Sequence, residues 1–197
     1  MADDWGSAPE RCDDMASLVD RMMGAARLDV KTYEEVEADQ NALGQAMTVV
    51  VLSAVAAGIG NSMRMGVNGL IFGTLISLIG WFIWALLTWL IGTKVLPEAN
   101  THADMGQMLR TIGFSASPGV LQVLGIIPFL GVLINFLISV WMLIAMVIAV
   151  RQALDYSSTG RAVGVVFIGW LVNLFVTASL FAVFGLGALA LGSLTGN

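Results

Sequence analysis

The 197-residue chain carries 9 basic and 14 acidic side chains, 12% of its residues, against 57% apolar types, whereas water-soluble domains are about 25% charged. Fifteen of those charges lie in residues 1–39, and the uncharged runs 40–63, 65–93, 111–150 and 162–197 make up most of the remainder. An ordinary soluble domain is thereby excluded, and the lack of period-two alternation excludes a membrane β-barrel. The fold class read from this pattern is all-α: a polytopic membrane helical bundle of about five segments, one of them short and hairpin-forming, preceded by amphipathic cytoplasmic helices. The net charge of −5 divides into −7 for residues 1–39 and +2 for the rest. An acidic head is repelled by nucleic acid and by anionic lipid surfaces, so no nucleic-acid partner is expected. Cys12 is the single cysteine, which excludes an intrachain disulfide and a thiolate metal site.

In chain order, Met15, Leu18, Val19, Met22, Met23 and Ala26 recur at helical spacing and predict an amphipathic helix, with Asp13 or Asp14 as its N-cap. Thr32 and Glu35 read as a T-x-x-E capping box that opens a second helix. Only Gly44 and Gly58 interrupt the sequence from there to Ile59, so this helix can run on into the first span. Residues 1–41 thus form an acidic cytoplasmic region and residues 42–197 a membrane domain.

A crossing of the hydrocarbon core takes about 20 apolar helical residues. That length divides the domain into segments at 42–59, 67–93, 118–127, 131–150 and 163–191. The third is short, and Gly125, Pro128 and Gly131 mark a hairpin between it and the fourth. Between the second and third, Met105, Met108, Leu109 and Ile112 predict a short amphipathic helix lying in the interface plane or against the bundle, with Asp104 at its start. Ser117 is expected to cap the next helix, with Pro118 in its first turn.

Lys and Arg near span ends favour the cytoplasmic side. With five segments and an inner N-terminus, eight of the nine Lys and Arg side chains fall inside and only Arg64 outside; four segments leave six against three. A re-entrant third segment gives the same count.

Residues 65–93, 111–150 and 162–197 hold no Asp, Glu, Lys, Arg or His. Proton relays, ion-coupled transport and intramembrane metal catalysis need such groups at depth, so the expectation is a non-enzymatic protein without cofactor or metal. His102 is alone in a loop. The polar side chains left at depth include Gln122, Asn135 and Asn173, which must find partners across helices. Their first reading is helix-to-helix contact, and the second is a polar path for a channel or small-solute transporter. Gly69, Gly73, Ser77 and Gly80 form a small-residue seam, expected to pack a neighbouring helix of the same chain or of a second copy. Trp81, Trp84 and Trp89 read as interfacial or packing aromatics. Arg110, Arg151, Asp155 and Arg161 read as charges of the cytoplasmic edge in solvent, with a lipid headgroup as the functional alternative.

Three stretches carry a family likeness: AARLDVKTYEEVEADQNALGQA from Ala25 to Ala46, LRTIGFSASPGVLQVLGIIPFLG from Leu109 to Gly131, and RQALDYSSTGRAV from Arg151 to Val163. Together they resemble the YIP1 family of small multi-span membrane proteins, in its prokaryotic branch. The match to the loop pattern rests on Gly113, Phe114, Pro118, Pro128 and Gly131. The resemblance implies a five-span bundle with a cytoplasmic N-terminus, in a prokaryotic plasma membrane, and a role in organising membrane or a membrane complex, akin to trafficking or membrane shaping. Membrane lipids, a second copy or another membrane protein are the partners it implies. The Asp-Leu-Tyr-Gly-Pro motif of eukaryotic members is missing, and the loop reads GFSASP, which argues against a Rab-type GTPase partner.

Overall fold

A computed structural model describes residues 10–60, 62–98, 101, 103–127 and 129–175, with side-chain surroundings defined from residue 18 onward except at 61–72. The described residues are helices and their connections, without a strand. Helix α1 spans Glu10–Ala26, α2 Val30–Ala38, α3 Ala42–Gly60 and α4 Ser62–Leu90, the last continuing as a wider π-turn through Ile91–Val95. Helix α5 spans Met105–Ser115, a 3₁₀ segment follows over Ser117–Ile126, α6 spans Gly131–Ala153 and α7 Thr159–Phe175. Three helices are long and apolar enough to cross a membrane, Ala42–Gly60, Gly73–Val95 and Gly131–Ala153, with Thr159–Phe175 a shorter apolar one.

Two turns fix the ends of the bundle through left-handed residues. After α1, Leu28 takes φ 65 while the Asp29 N–H donates to Gly24 O and the Leu28 N–H to Ala25 O. After α6, Asp155 takes φ 51 while the Tyr156 N–H donates to Arg151 O and the Asp155 N–H to Gln152 O. Both are Schellman terminations, which use up orphan carbonyls of the ending helix at the cost of a conformation that Asp tolerates better than Leu.

Helix α2 begins at Asp29, whose carboxylate accepts from the Lys31 N–H, and not at the T-x-x-E box. Thr32 instead donates its hydroxyl to Asp29, and Glu35 turns away to pair with Arg21 at 2.9 Å. The Schellman turn delivers the chain to Asp29 three residues early, so the cap forms there. Helix α2 also does not run on into the first span. Asp39 ends it in an extended conformation and accepts from the Asn41 N–H before α3 starts. The face of α1 is rotated from the predicted one: Leu18 and Ala25 are buried, while Val19 and Met23 are about half exposed at 50% and 45%.

Of its two expected placements, helix α5 takes the one against the bundle. Trp89 Nε1 donates to Ala103 O at 2.9 Å and Trp81 Nε1 to Leu109 O at 3.1 Å, so α5 runs antiparallel to α4, down into the bundle. Its start is secured by a reciprocal capping box between Asp104 and Gln107. Its residues Thr111 to Ser115 are all buried, and Gly113 lets it close on α3, since a Cβ there would stand 2.7 Å from that of Ala46. The chain then continues in 3₁₀ form, and Ser117 is not the cap: its hydroxyl donates back to Phe114 O at 2.6 Å. At 10 residues the 3₁₀ run far exceeds the usual 3 or 4. With about 2.0 Å of rise per residue it gains some 5 Å over an α-helix of equal length. The sequence then reverses through a turn in which Phe129 has φ 66, and Gly131 lies directly against the Gly125 carbonyl. Pro128 lies outside the described residues.

Around the outside, Ile76 and Ile79 of α4, Val132, Phe136 and Leu137 of α6, and Phe167 and Phe175 of α7 are exposed. Apolar side chains on this scale suit a hydrocarbon surrounding and no aqueous one.

Candidate functional site

Two places combine polar chemistry with burial: the junction where α1 and α2 meet the bundle, and a cavity among the spans.

The junction is built around Arg110. The positive-inside reading puts this side chain in solvent; the structure buries it, with 6% of its surface exposed. Its Nε donates to Val36 O at 3.0 Å and its second guanidinium nitrogen to Glu37 O, so it caps the C-terminal carbonyls of α2. A cation at a helix C-terminus is favourable both by hydrogen bonding and by the helix dipole. In the antiparallel register of α5 on α4, Arg110 follows directly on Leu109, whose carbonyl accepts from Trp81 Nε1.

Tyr33 and Val36 are fully buried beside it with Phe114 and Ala149, and the Tyr33 hydroxyl donates to Ala25 O at 3.1 Å. Burial raises the Tyr33 phenol above its ordinary range. Glu37 accepts from Gln107 Nε2 at 3.1 Å. Burial first, then Asp155, raises the Glu37 carboxyl to about 7, against the opposing pull of Arg110. On the outer side, Arg21 binds Glu35, Asp39 at 2.8 Å and Gln45 at 2.8 Å, joining α1, α2 and α3. Trp141 Nε1 donates to Ala26 O at 2.8 Å, which seats the end of α1 against α6.

The other edge charges do not gather into a headgroup site. Arg151 donates to Tyr156 O, Asp155 serves as the left-handed residue of its turn, and Arg161 donates to Pro97 O and pairs with Glu98 at 3.4 Å. The N–H and hydroxyl of Ser157 hold the Glu98 carboxyl below the usual carboxylate range. The Tyr156 hydroxyl reaches Gly92 O at 2.9 Å, a carbonyl released by the π-turn. Two loops are thereby tied together, Arg151 and Arg161 each having a local partner.

The cavity, about 480 Å³, lies between α3, α4, α5, the 3₁₀ segment, α6 and α7. Its walls are mostly apolar, with Ser53, Ser77, Ser115, Ser139 and Gln122 as polar points and Trp81, Trp84 and Trp170 as aromatic ones. The Trp81 indole is paired with Leu109, whereas Trp84 Nε1 is buried without a hydrogen-bond partner among the described residues. Ser77 and Gly80 of the predicted seam face this space. Among the described residues, a Cβ at Gly73 or Gly80 would meet nothing within 4 Å, so no described helix backbone closes on the seam at those two positions. Gly69 lies in α4 within the stretch whose surroundings are not described.

Gln122 reaches Met142 Sδ at 3.8 Å. The Asn135 amide packs against Gly125, where a Cβ would stand 2.5 Å from Asn135 Nδ2, and its Oδ1 is buried without a partner. Asn173 sits near the end of the described part of α7. His102 lies outside the described residues. Among the described residues, no three His, Cys, Asp or Glu side chains could share a metal ion.

Sequence reasoning missed Arg110 as a buried cap, the cavity, and Trp84 as its free donor. A lone arginine three residues after an Asp-x-x-Gln box was the available signal for the first: the box fixes a helix start, and Arg110 then falls on the face shared with Gln107 and Phe114.

Apolar spanning helices under a sealed polar end define an α-helical integral membrane protein. Residues 29–180 match the Yip1 domain, and the chain belongs to the Yip1 family. No curated protein and no solved structure matches it.

Proposed function

We infer that the protein acts without catalysis, organising the membrane or a membrane complex through the docked pair α1–α2. The observation that carries this reading is the apolar outer face of that pair. Val19 and Met23 of α1 and Val30 of α2 are exposed although the same helices bury Leu18, Ala25, Tyr33 and Val36 in the bundle. A helix with apolar residues on a second side has a second surface to cover. Methionine adapts to varied partners, and the surrounding acidic charge disfavours anionic ones. The placement of this face in the cytoplasm, under a five-segment bundle, rests on the arginine and lysine distribution, the prokaryotic cell is what the family resemblance implies, and both belong to the same proposal.

The test is photocrosslinking in native membranes, with the reactive group at Val19 or Met23 and at Asp20 as control. Discrete adducts to a membrane protein or a second copy are expected at the first two positions. Labelling no stronger than at Asp20 would overturn the reading.

Transport is the second reading, supported by the unpartnered Asn135 Oδ1 within the hairpin. Liposomes holding the protein should then pass small solutes faster than empty ones, and an Asn135→Leu, Asn173→Leu double variant should not. Equal rates in all three remove it.

A further inference from the structure

We propose that the cavity binds an uncharged glycerolipid of the diacylglycerol kind, a carbonyl oxygen of which accepts a hydrogen bond from Trp84 Nε1. This stands apart from the docking role of α1–α2, and either can fail without the other.

Three observations lead to the ligand class. The size, about 480 Å³, lies within the range of 300 to 1,000 Å³ usual for small-molecule sites. The wall is apolar and holds no charged side chain. A phosphate drawn inside would therefore be desolvated without a counter-charge, at a cost of several kcal/mol or more. The hydrogen-bonding groups are also unevenly spent. The hydroxyls of Ser53 and Ser139 already donate to Ala116 O and Asn135 O. Trp84 Nε1 alone among the indole donors at this level is buried and unpaired. Leaving such a donor empty costs about 1 to 3 kcal/mol, and an occupant supplying an acceptor recovers it.

An indole can only donate, so the group facing it must be an acceptor oxygen. The cavity is bounded by apolar spans, so its occupant comes from the bilayer and must partition there. Tails suit Met142, Leu143, Met146 and Val166, and the ring face of Trp170 adds apolar area. An ester carbonyl next to acyl chains, without a charged headgroup, meets each of these conditions.

The test uses the full chain in phosphatidylcholine nanodiscs with a diazirine-bearing diacylglycerol, and in a parallel arm the same diazirine chain on phosphatidylcholine. The expected result is saturable labelling of peptides containing Trp84, Met142 or Trp170 by the first probe, displaced by unlabelled diacylglycerol. Trp84→Phe keeps the ring and removes the donor, and should weaken apparent affinity by about threefold to tenfold. Gly80→Leu fills the space from a position where a Cβ meets nothing, and should reduce site labelling about tenfold or more. Thermal unfolding of both variants checks that they remain folded. If either unfolds, displacement by unlabelled lipid on the unaltered protein decides. Labelling spread evenly over the exposed belt, or equal labelling by both probes, would each overturn the proposal.

Discussion

The junction of α1, α2 and α5 and the interior between the spans differ in how completely their polar groups are paired. At the junction, Arg110, Arg21, Tyr33, Gln107 and Trp141 each have a defined partner on another element or across a turn. Between the spans, Asn135 Oδ1 and Trp84 Nε1 are buried and unpaired among the described residues. A closed network specifies one geometry and is costly to break, whereas an open donor or acceptor leaves room for a ligand or for exchange. The difference separates a structural end of the molecule from an interior with free binding capacity.

That contrast can be broken from the strong side first. Tyr33→Ala empties a fully buried aromatic position and should destabilise the protein by about 3 to 5 kcal/mol, read by thermal unfolding in nanodiscs. Arg110→Met, which keeps the stem and removes the cap, should cost about 2 to 4 kcal/mol by leaving the Val36 and Glu37 carbonyls unpaired. It should also expose α2 to protease. Should Arg110→Met unfold at the same temperature as the parent, the cap is without effect.

Asp155→Val forces a β-branched residue into a left-handed turn and should cost about 1 to 3 kcal/mol, while Asp155→Gly should cost little. On the other side of the comparison, Asn135→Leu removes a buried amide oxygen that is unpaired among the described residues. It should change stability by less than about 1 kcal/mol, or raise it.

The pH dependence follows from Glu37. Its folded-state carboxyl is raised to about 7, above its unfolded value of 4.5, so the native state holds the proton longer than the unfolded one. Stability should therefore fall as pH rises from about 4.5 to about 7 and level off above. Glu37→Gln should flatten that slope in unfolding measured across the interval. An unchanged slope would place its origin elsewhere.

The membrane class and the approximate limits of the long helices were legible in the sequence because charge and apolar run length are properties of composition. The Asp104 start of α5 was legible because a capping box is local. What escaped was set by tertiary contact. The T-x-x-E pattern lost to Asp29 because a Schellman turn, invisible to a capping rule, placed the helix start earlier. The apolar line of α1 was read as one stripe, yet Leu18, Met22 and Ala25 pack into the bundle while Val19 and Met23 stay about half exposed, since Trp141 and Arg21 fix the helix rotation. Arg110 was read as a solvent charge because the positive-inside rule counts side chains and cannot see that α2 folds back over one of them. For the cavity, no local pattern announces that Gly80 lacks a neighbour.

The central claim is that α2 is a fixed part of the bundle, held by Arg110 and Tyr33. Hydrogen exchange in nanodiscs tests it most directly, by comparing amides of residues 32–38 with those of α3 and α5. Protection in 32–38 comparable to α5, lost selectively in Arg110→Met, is the expected result. Exchange of 32–38 at the rate of an unstructured peptide, while α3 and α5 stay protected, would contradict it.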